Sequence, residues 1–150
     1  MTTFQVAERM DFARVAPKVF KSVLALDTAV RDGLDPVLAE LVQIRASQIN
    51  KCAYCIDYHS SDARKAGESE ERVYQLDGWR ESSLYTVEER AALALTEEVT
   101  LLPGGVTDAV YAEAEKYFAQ DELARLIGLI FTVNVWNRMN VTTRKKPGTE

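Results

Sequence analysis

The sequence predicts an all-α fold, a compact single domain over residues 1–150 built as a bundle of six or seven helices. Apolar residues recur at helical spacing nearly throughout, and no convincing alternating strand interrupts them. Residues that start and stop helices punctuate that pattern. A chain of 150 residues is also the usual size of one domain, and no repeat, linker or low-complexity block divides it.

The first helix is expected from about Pro17 to Val30, stopping at Gly33. Asp35 then caps a second, with Pro36 at its first position. Leu38, Leu41, Val42, Ile44 and Ile49 supply the buried face of that helix. Asn50 offers the cap of a third, which places the C-x-x-C of Cys52 and Cys55 at a helix N-terminus and runs to Ala66, with Gly67 as its stop. "ESEERVYQLDGW" reads as a short helix ending near Gly78. Thr86 and Glu89 form a capping box at the head of "TVEERAALALTEEVTLL", which ends before Pro103-Gly104-Gly105. "TDAVYAEAEKYF" and the long "DELARLIGLIFTVNVWNRMNV" complete the set.

A formal net charge of −5 argues against nucleic acid or an anionic membrane as partner, since either favours a basic surface. The basic run Arg144-Lys145-Lys146 reads as a solvated end beside Pro147 and Gly148. The N-terminus lacks the uninterrupted apolar stretch of a signal peptide, and no segment approaches the roughly 18 apolar residues of a membrane span. The expectation is a cytoplasmic protein. There, a close cysteine pair points to catalysis, redox sensing or metal binding before a permanent staple.

Chemistry concentrates in "NKCAYCIDYHSSDARKAG", which holds both cysteines and the single histidine. On a helix, Cys52, Cys55 and His59 fall within about 60° of one another, and each is one turn from the next. A helix N-terminus favours a thiolate over a thiol. His59 could take or relay the proton, the thiolate could attack a peroxide oxygen, and the second cysteine could condense with the resulting sulfenic acid. Two other readings stand beside this one. The cysteines could be small buried hydrophobes. With a carboxylate, the three residues could also bind a metal, although structural zinc usually draws two ligand pairs from separate elements.

The longer stretch "LAELVQIRASQINKCAYCIDYHSSDARKAGE" resembles the AhpD-like alkylhydroperoxidases of the carboxymuconolactone decarboxylase superfamily. Its pattern is a glutamate, eleven residues, C-x-x-C, three residues and a histidine, met here by Glu40, Cys52, Cys55 and His59. The likeness continues through the Trp79 region, "EERAALALTEEVT" and "NVWNR", around a motif core at about 35–100. It implies a thiol peroxidase acting on alkyl hydroperoxides or hydrogen peroxide, with Cys55 peroxidatic and Cys52 resolving. It further implies a Glu40/His59 proton relay and a homo-oligomer, trimer or hexamer. No cofactor is expected to be bound; an external dithiol, such as a lipoyl group on a partner protein, is the implied reductant. The decarboxylation in the superfamily's name needs no cysteine pair, so the two cysteines count against it.

Geometry puts a condition on this transfer. Twelve residues of unbroken helix would carry Glu40 about 18 Å from Cys52, out of reach of the thiols. The relay therefore requires the chain to break near Ser47 to Lys51 and fold two helices together. One residue departs from the family: the founding peroxidases carry a further histidine between the cysteines, where this chain has Tyr54. With an ordinary pKa near 10, Tyr54 is a poor proton shuttle at neutral pH but can donate a hydrogen bond. In the last helix Asn134 and Arg138, four apart, are candidate supporting residues facing the site or a neighbouring subunit, with Asn137 between them, and Trp136 reads as core.

Overall fold

A computed structural model of the chain describes residues 1–149. Among these residues there are eight α-helices, two 3-10 turns and no strand. They are α1 (Phe12–Val15), α2 (Pro17–Arg31), α3 (Pro36–Ile49), α4 (Ala53–Lys65), α5 (Glu70–Gln75), α6 (Val87–Thr100), α7 (Asp108–Tyr117) and α8 (Gln120–Thr143). The 3-10 turns span Leu76–Glu81 and Leu102–Gly104. The helix beyond the expected six or seven is α1, one turn capped by the Asp11 side chain. It is too short to leave a periodic signal.

Local chemistry sets most boundaries. Asp35 accepts from the Val37 N–H at the start of α3, and Pro36 occupies the first turn. Thr86 and Glu89 form the reciprocal capping box of α6. Gly33 and Gly67, which follow α2 and α4, both have positive φ, the conformation that ends a helix most cheaply in glycine.

Helix α3 lies at the centre and packs against α4, α6 and α8. Its apolar face divides between two clusters. Leu38, Ala39 and Val42 join Val30 of α2, Ala92 and Leu95 of α6, and Leu126, Leu129 and Ile130 of α8. Leu41 and Ile44 pack with Ala63, Leu76, Trp79, Tyr85 and Leu93. Of the apolar face expected for α3, only Ile49 is less than fully buried. Surrounded on nearly all sides, α3 also buries three polar residues, Glu40, Gln43 and Ser47.

Trp79 fixes the lower cluster through its indole N–H, which donates to Glu97 at 2.8 Å. Burial alone would push the Glu97 carboxyl up, but hydrogen bonds from Arg80, Trp79 and Arg45 hold it below the ordinary range. This charged group is therefore structural.

Helices α2 and α8 approach closely at Gly128, where a Cβ would meet Val30 Cγ1 at 2.7 Å. Val30 is β-branched and stiff on its helix, so it cannot swing aside cheaply. Gly128→Ala is expected to lower stability by about 1–3 kcal/mol through overpacking. Adding Val30→Ala should recover part of that loss. Urea unfolding of the two single variants and the double checks this; strictly additive effects would exclude the clash.

Candidate active site

The junction between α3 and α4 builds the site. Asn50 closes α3, Lys51 follows with φ of 56°, and Cys52 returns to extended backbone. The Lys51 N–H donates to the Gln48 carbonyl at 3.2 Å and the Cys52 N–H to the Ser47 carbonyl at 3.0 Å. That pair of bonds is the Schellman termination, with lysine in the left-handed position that glycine usually fills. The chain therefore breaks within the segment where Glu40 requires it to break.

The expected cap is two residues off. Helix α4 starts at Ala53 and its N-cap is Cys52, whose sulfur accepts from the Cys55 N–H at 3.2 Å. Asn50 is prevented from capping α4 because its backbone continues α3 and its amide is drawn into α8. There Asn50 Nδ2 donates to Asn134 Oδ1 at 2.8 Å and Asn137 Oδ1 at 2.9 Å. Asn137 Nδ2 in turn donates to Ser47 Oγ at 3.0 Å, and Arg138 Nη1 to Asn134 Oδ1 at 2.8 Å. Asn134 and Arg138 thus sit behind the elbow and hold it to α8; neither lines the cavity described below.

The two cysteines are joined as a disulfide with Cα atoms 5.3 Å apart, each only 2% exposed. One turn on, His59 is buried, and its Nδ1 lies 2.8 Å from Glu40 Oε2. Where Glu40 accepts this bond, Nδ1 is the donor nitrogen of the ring. The other Glu40 oxygen, Oε1, accepts from Arg31 Nη1 at 3.2 Å. Arg31 also donates to Asp27 Oδ2 at 2.7 Å and Gln43 Oε1 at 2.7 Å. Burial works against the charge of Arg31, but Asp27 and Glu40 together keep its pKa above the ordinary value.

A cavity of about 450 Å³ opens over this pair, and Cys55 and His59 both line it whereas Cys52 does not. Its apolar walls come from Phe20, Leu24, Tyr54, Tyr58 and Trp136, and its polar walls from Asp27, Arg31, Asn140 and Lys145. Asn140 Nδ2 stands 3.5 Å from Cys55 Sγ. Tyr54 stacks on Tyr58 at a centroid distance of 5.9 Å. Burial, with Asp57 and Asp62 nearby, pushes the Tyr54 hydroxyl up, so it stays protonated at neutral pH. Among the described residues no group of three or more His, Cys, Asp or Glu is placed to hold a metal ion.

Two further readings from sequence need correction. Trp136 is half-buried on the cavity wall, edge-on to Phe20 at 5.4 Å, with its N–H donating to Asp27 Oδ1 at 3.1 Å. Lys145 is no solvated end: its Nζ lies 4.6 Å from the centre of the Tyr54 ring. Sequence reasoning also missed Asp27, Arg31, Gln43 and Asn140. The available signal was weak, an Asp and an Arg one turn apart on α2 and an asparagine every third residue at 134, 137 and 140.

The model of the carboxymuconolactone decarboxylase family matches residues 17–98. The uncharacterized protein YdfG of Bacillus subtilis is 36% identical over 138 residues, covering 91% of this chain and 94% of that protein. A crystal structure of ATU0492 from Agrobacterium tumefaciens, a protein of unknown function suggested there to be the antioxidant defence protein AhpD, matches with TM-score 0.92 and 34% identity. That alignment covers 96% of this chain and all of the other, at 100%. The debrominase Bmp8, in complex with 2,3,4-tribromopyrrole, shares the fold at TM-score 0.79 and 18% identity over 89% of this chain and 72% of that chain.

Asn137 is fully buried and joins Ser47 to Asn50 across the elbow. Asn137→Ala removes one hydrogen bond from each partner, Asn50 keeping Asn134 and Ser47 keeping the Gln43 carbonyl, and should cost about 1–3 kcal/mol, more than a typical surface change. Lys51→Gly relieves the left-handed backbone and should be neutral or stabilising by up to about 1 kcal/mol. Chemical denaturation of the two variants measures both. A loss on Lys51→Gly, or no loss on Asn137→Ala, would contradict this account of the elbow.

Proposed function

The chain belongs to the carboxymuconolactone decarboxylase family and to its AhpD-like branch, and we propose that it is a thiol peroxidase working through Cys52 and Cys55. The observation that carries this reading is the position of Cys55. It is the cysteine that faces the cavity, with His59 beside it and Glu40 behind His59.

In the reduced protein, His59 Nε2 takes the Cys55 proton, and the resulting imidazolium is stabilised by the Glu40 carboxylate. The thiolate attacks the terminal hydroperoxide oxygen: an S–O bond forms and the O–O bond breaks. The alcohol leaves with the proton from His59, and Cys55 is left as a sulfenic acid. Cys52 then attacks that sulfur; the S–S bond forms, the S–O bond breaks and water departs. One hydroperoxide and two thiols thus give one alcohol, one water and the disulfide. An external dithiol, with a lipoyl-bearing or other thiol reductant protein as candidate donor, takes the disulfide back to two thiols. In this reading Tyr54, which stays protonated, is a hydrogen-bond donor in the cavity and moves no proton of its own.

A trimeric or hexameric homo-oligomer belongs to the same proposal. It is supported by apolar side chains left exposed on one side of α8, Phe131 and Val135. No described helix is long and apolar enough to cross a membrane.

With dihydrolipoamide as reductant, Cys55→Ser should abolish peroxide consumption. Glu40→Gln, which keeps the shape but removes the charge behind His59, should slow it about 100-fold or more. Wild-type rates in Cys55→Ser would overturn the assignment of roles. One equivalent of zinc in protein purified without chelator would instead favour a metal-binding protein.

A further inference from the structure

The reaction proposed above leaves the organic part of the hydroperoxide undefined, and the cavity bears on it directly. At about 450 Å³ it is far larger than hydrogen peroxide requires. A cavity of roughly 150 Å³ already accepts a benzene ring. The space therefore suits a ring with substituents.

Its walls favour a flat ring over a flexible chain. Tyr54 and Tyr58 present a stacked pair from α4, and Phe20 and Trp136 an edge-to-face pair from α2 and α8. Aromatic ligands gain from such rings beyond simple burial of area.

Charge narrows the class further. Both oxygens of Asp27 are taken, one by Arg31 and one by Trp136. Arg31 is matched by Asp27 and Glu40, and Glu40 is also hydrogen-bonded to His59. Lys145 is the cavity-lining cation with no ion pair among the described residues. It is not a loose tail residue. Its backbone N–H donates to the Asn140 carbonyl at 3.0 Å, just beyond the left-handed cap at Arg144. The side chain of that same Asn140 reaches Cys55 Sγ. Lys145, without an ion pair among the described residues, is thereby tied through its backbone to the residue that touches the reactive sulfur.

We infer that the cavity takes an aromatic hydroperoxide bearing one carboxylate, with the ring among Tyr54, Tyr58, Phe20 and Trp136 and the carboxylate on Lys145. The reaction rests on the peroxidase reading; the ligand class rests on the cavity alone, and two measurements separate them.

The first is calorimetric titration of the oxidised protein with 4-isopropylbenzoate and with the uncharged 4-isopropylbenzyl alcohol. The benzoate should bind about tenfold more tightly. Lys145→Gln should bring it to the affinity of the alcohol, and Lys145→Arg should restore the preference. Equal binding of the two ligands, or a preference that survives Lys145→Gln, overturns the inference. The second compares cumene hydroperoxide with its 4-carboxylate under turnover, where the acid should show a KM lower by about tenfold. Turnover of both with no preference sinks the inference and leaves the peroxidase reading standing. A benzoate preference in binding with neither hydroperoxide reduced supports the ligand class and sinks the peroxidase reading.

Discussion

Glu40 is a carboxylate in the middle of the most buried helix, only 7% exposed, and its charge has to be met on both oxygens. An ionised group buried without partners costs several kcal/mol. Here one oxygen faces Arg31 at the end of α2 and the other His59 on α4. Meeting that charge ties α2, α3 and α4 at a single point. The same point lies behind Cys55, so the group that would be a liability in an ordinary core becomes the far end of a proton path.

That arrangement is possible because α3 stops where it does. The left-handed turn at Lys51 folds α4 back along α3, and His59 comes to lie beside a glutamate 19 residues earlier. The turn is braced from outside by Asn134 and Asn137, which hold Asn50 against α8. Arg31 is braced in turn by Asp27, and Asp27 by Trp136. Gln43 joins the two, accepting from Arg31 on its side chain and from Ser47 Oγ on its carbonyl, so the cavity wall, the buried charge and the elbow form one connected set of hydrogen bonds.

Much of this was legible in the sequence where local chemistry decides. Caps at Asp35 and Thr86 and stops at Gly33 and Gly67 located the helices, and C-x-x-C-x-x-x-H with Glu40 located the centre. The need for a break before Cys52 followed from distance alone. What local rules could not give was competition for a side chain. Asn50 has good capping chemistry, but two asparagines more than eighty residues away outbid the α4 terminus for its amide. Trp136 reads as core because an indole on an apolar helix usually is, and only the packing of α2 leaves its face open to a cavity. Lys145 lies in a basic run that composition assigns to solvent; its placement over Tyr54 depends on how α8 ends.

The central claim is that Cys55, and not Cys52, meets the oxidant in front of the Glu40–His59 pair. Intact-mass and peptide mass spectrometry of reduced Cys52→Ser after one equivalent of cumene hydroperoxide tests it most directly. The account predicts a gain of about 16 Da, one oxygen, carried by Cys55 and trapped there by dimedone. A variant whose mass stays unchanged while wild type is oxidised would contradict it.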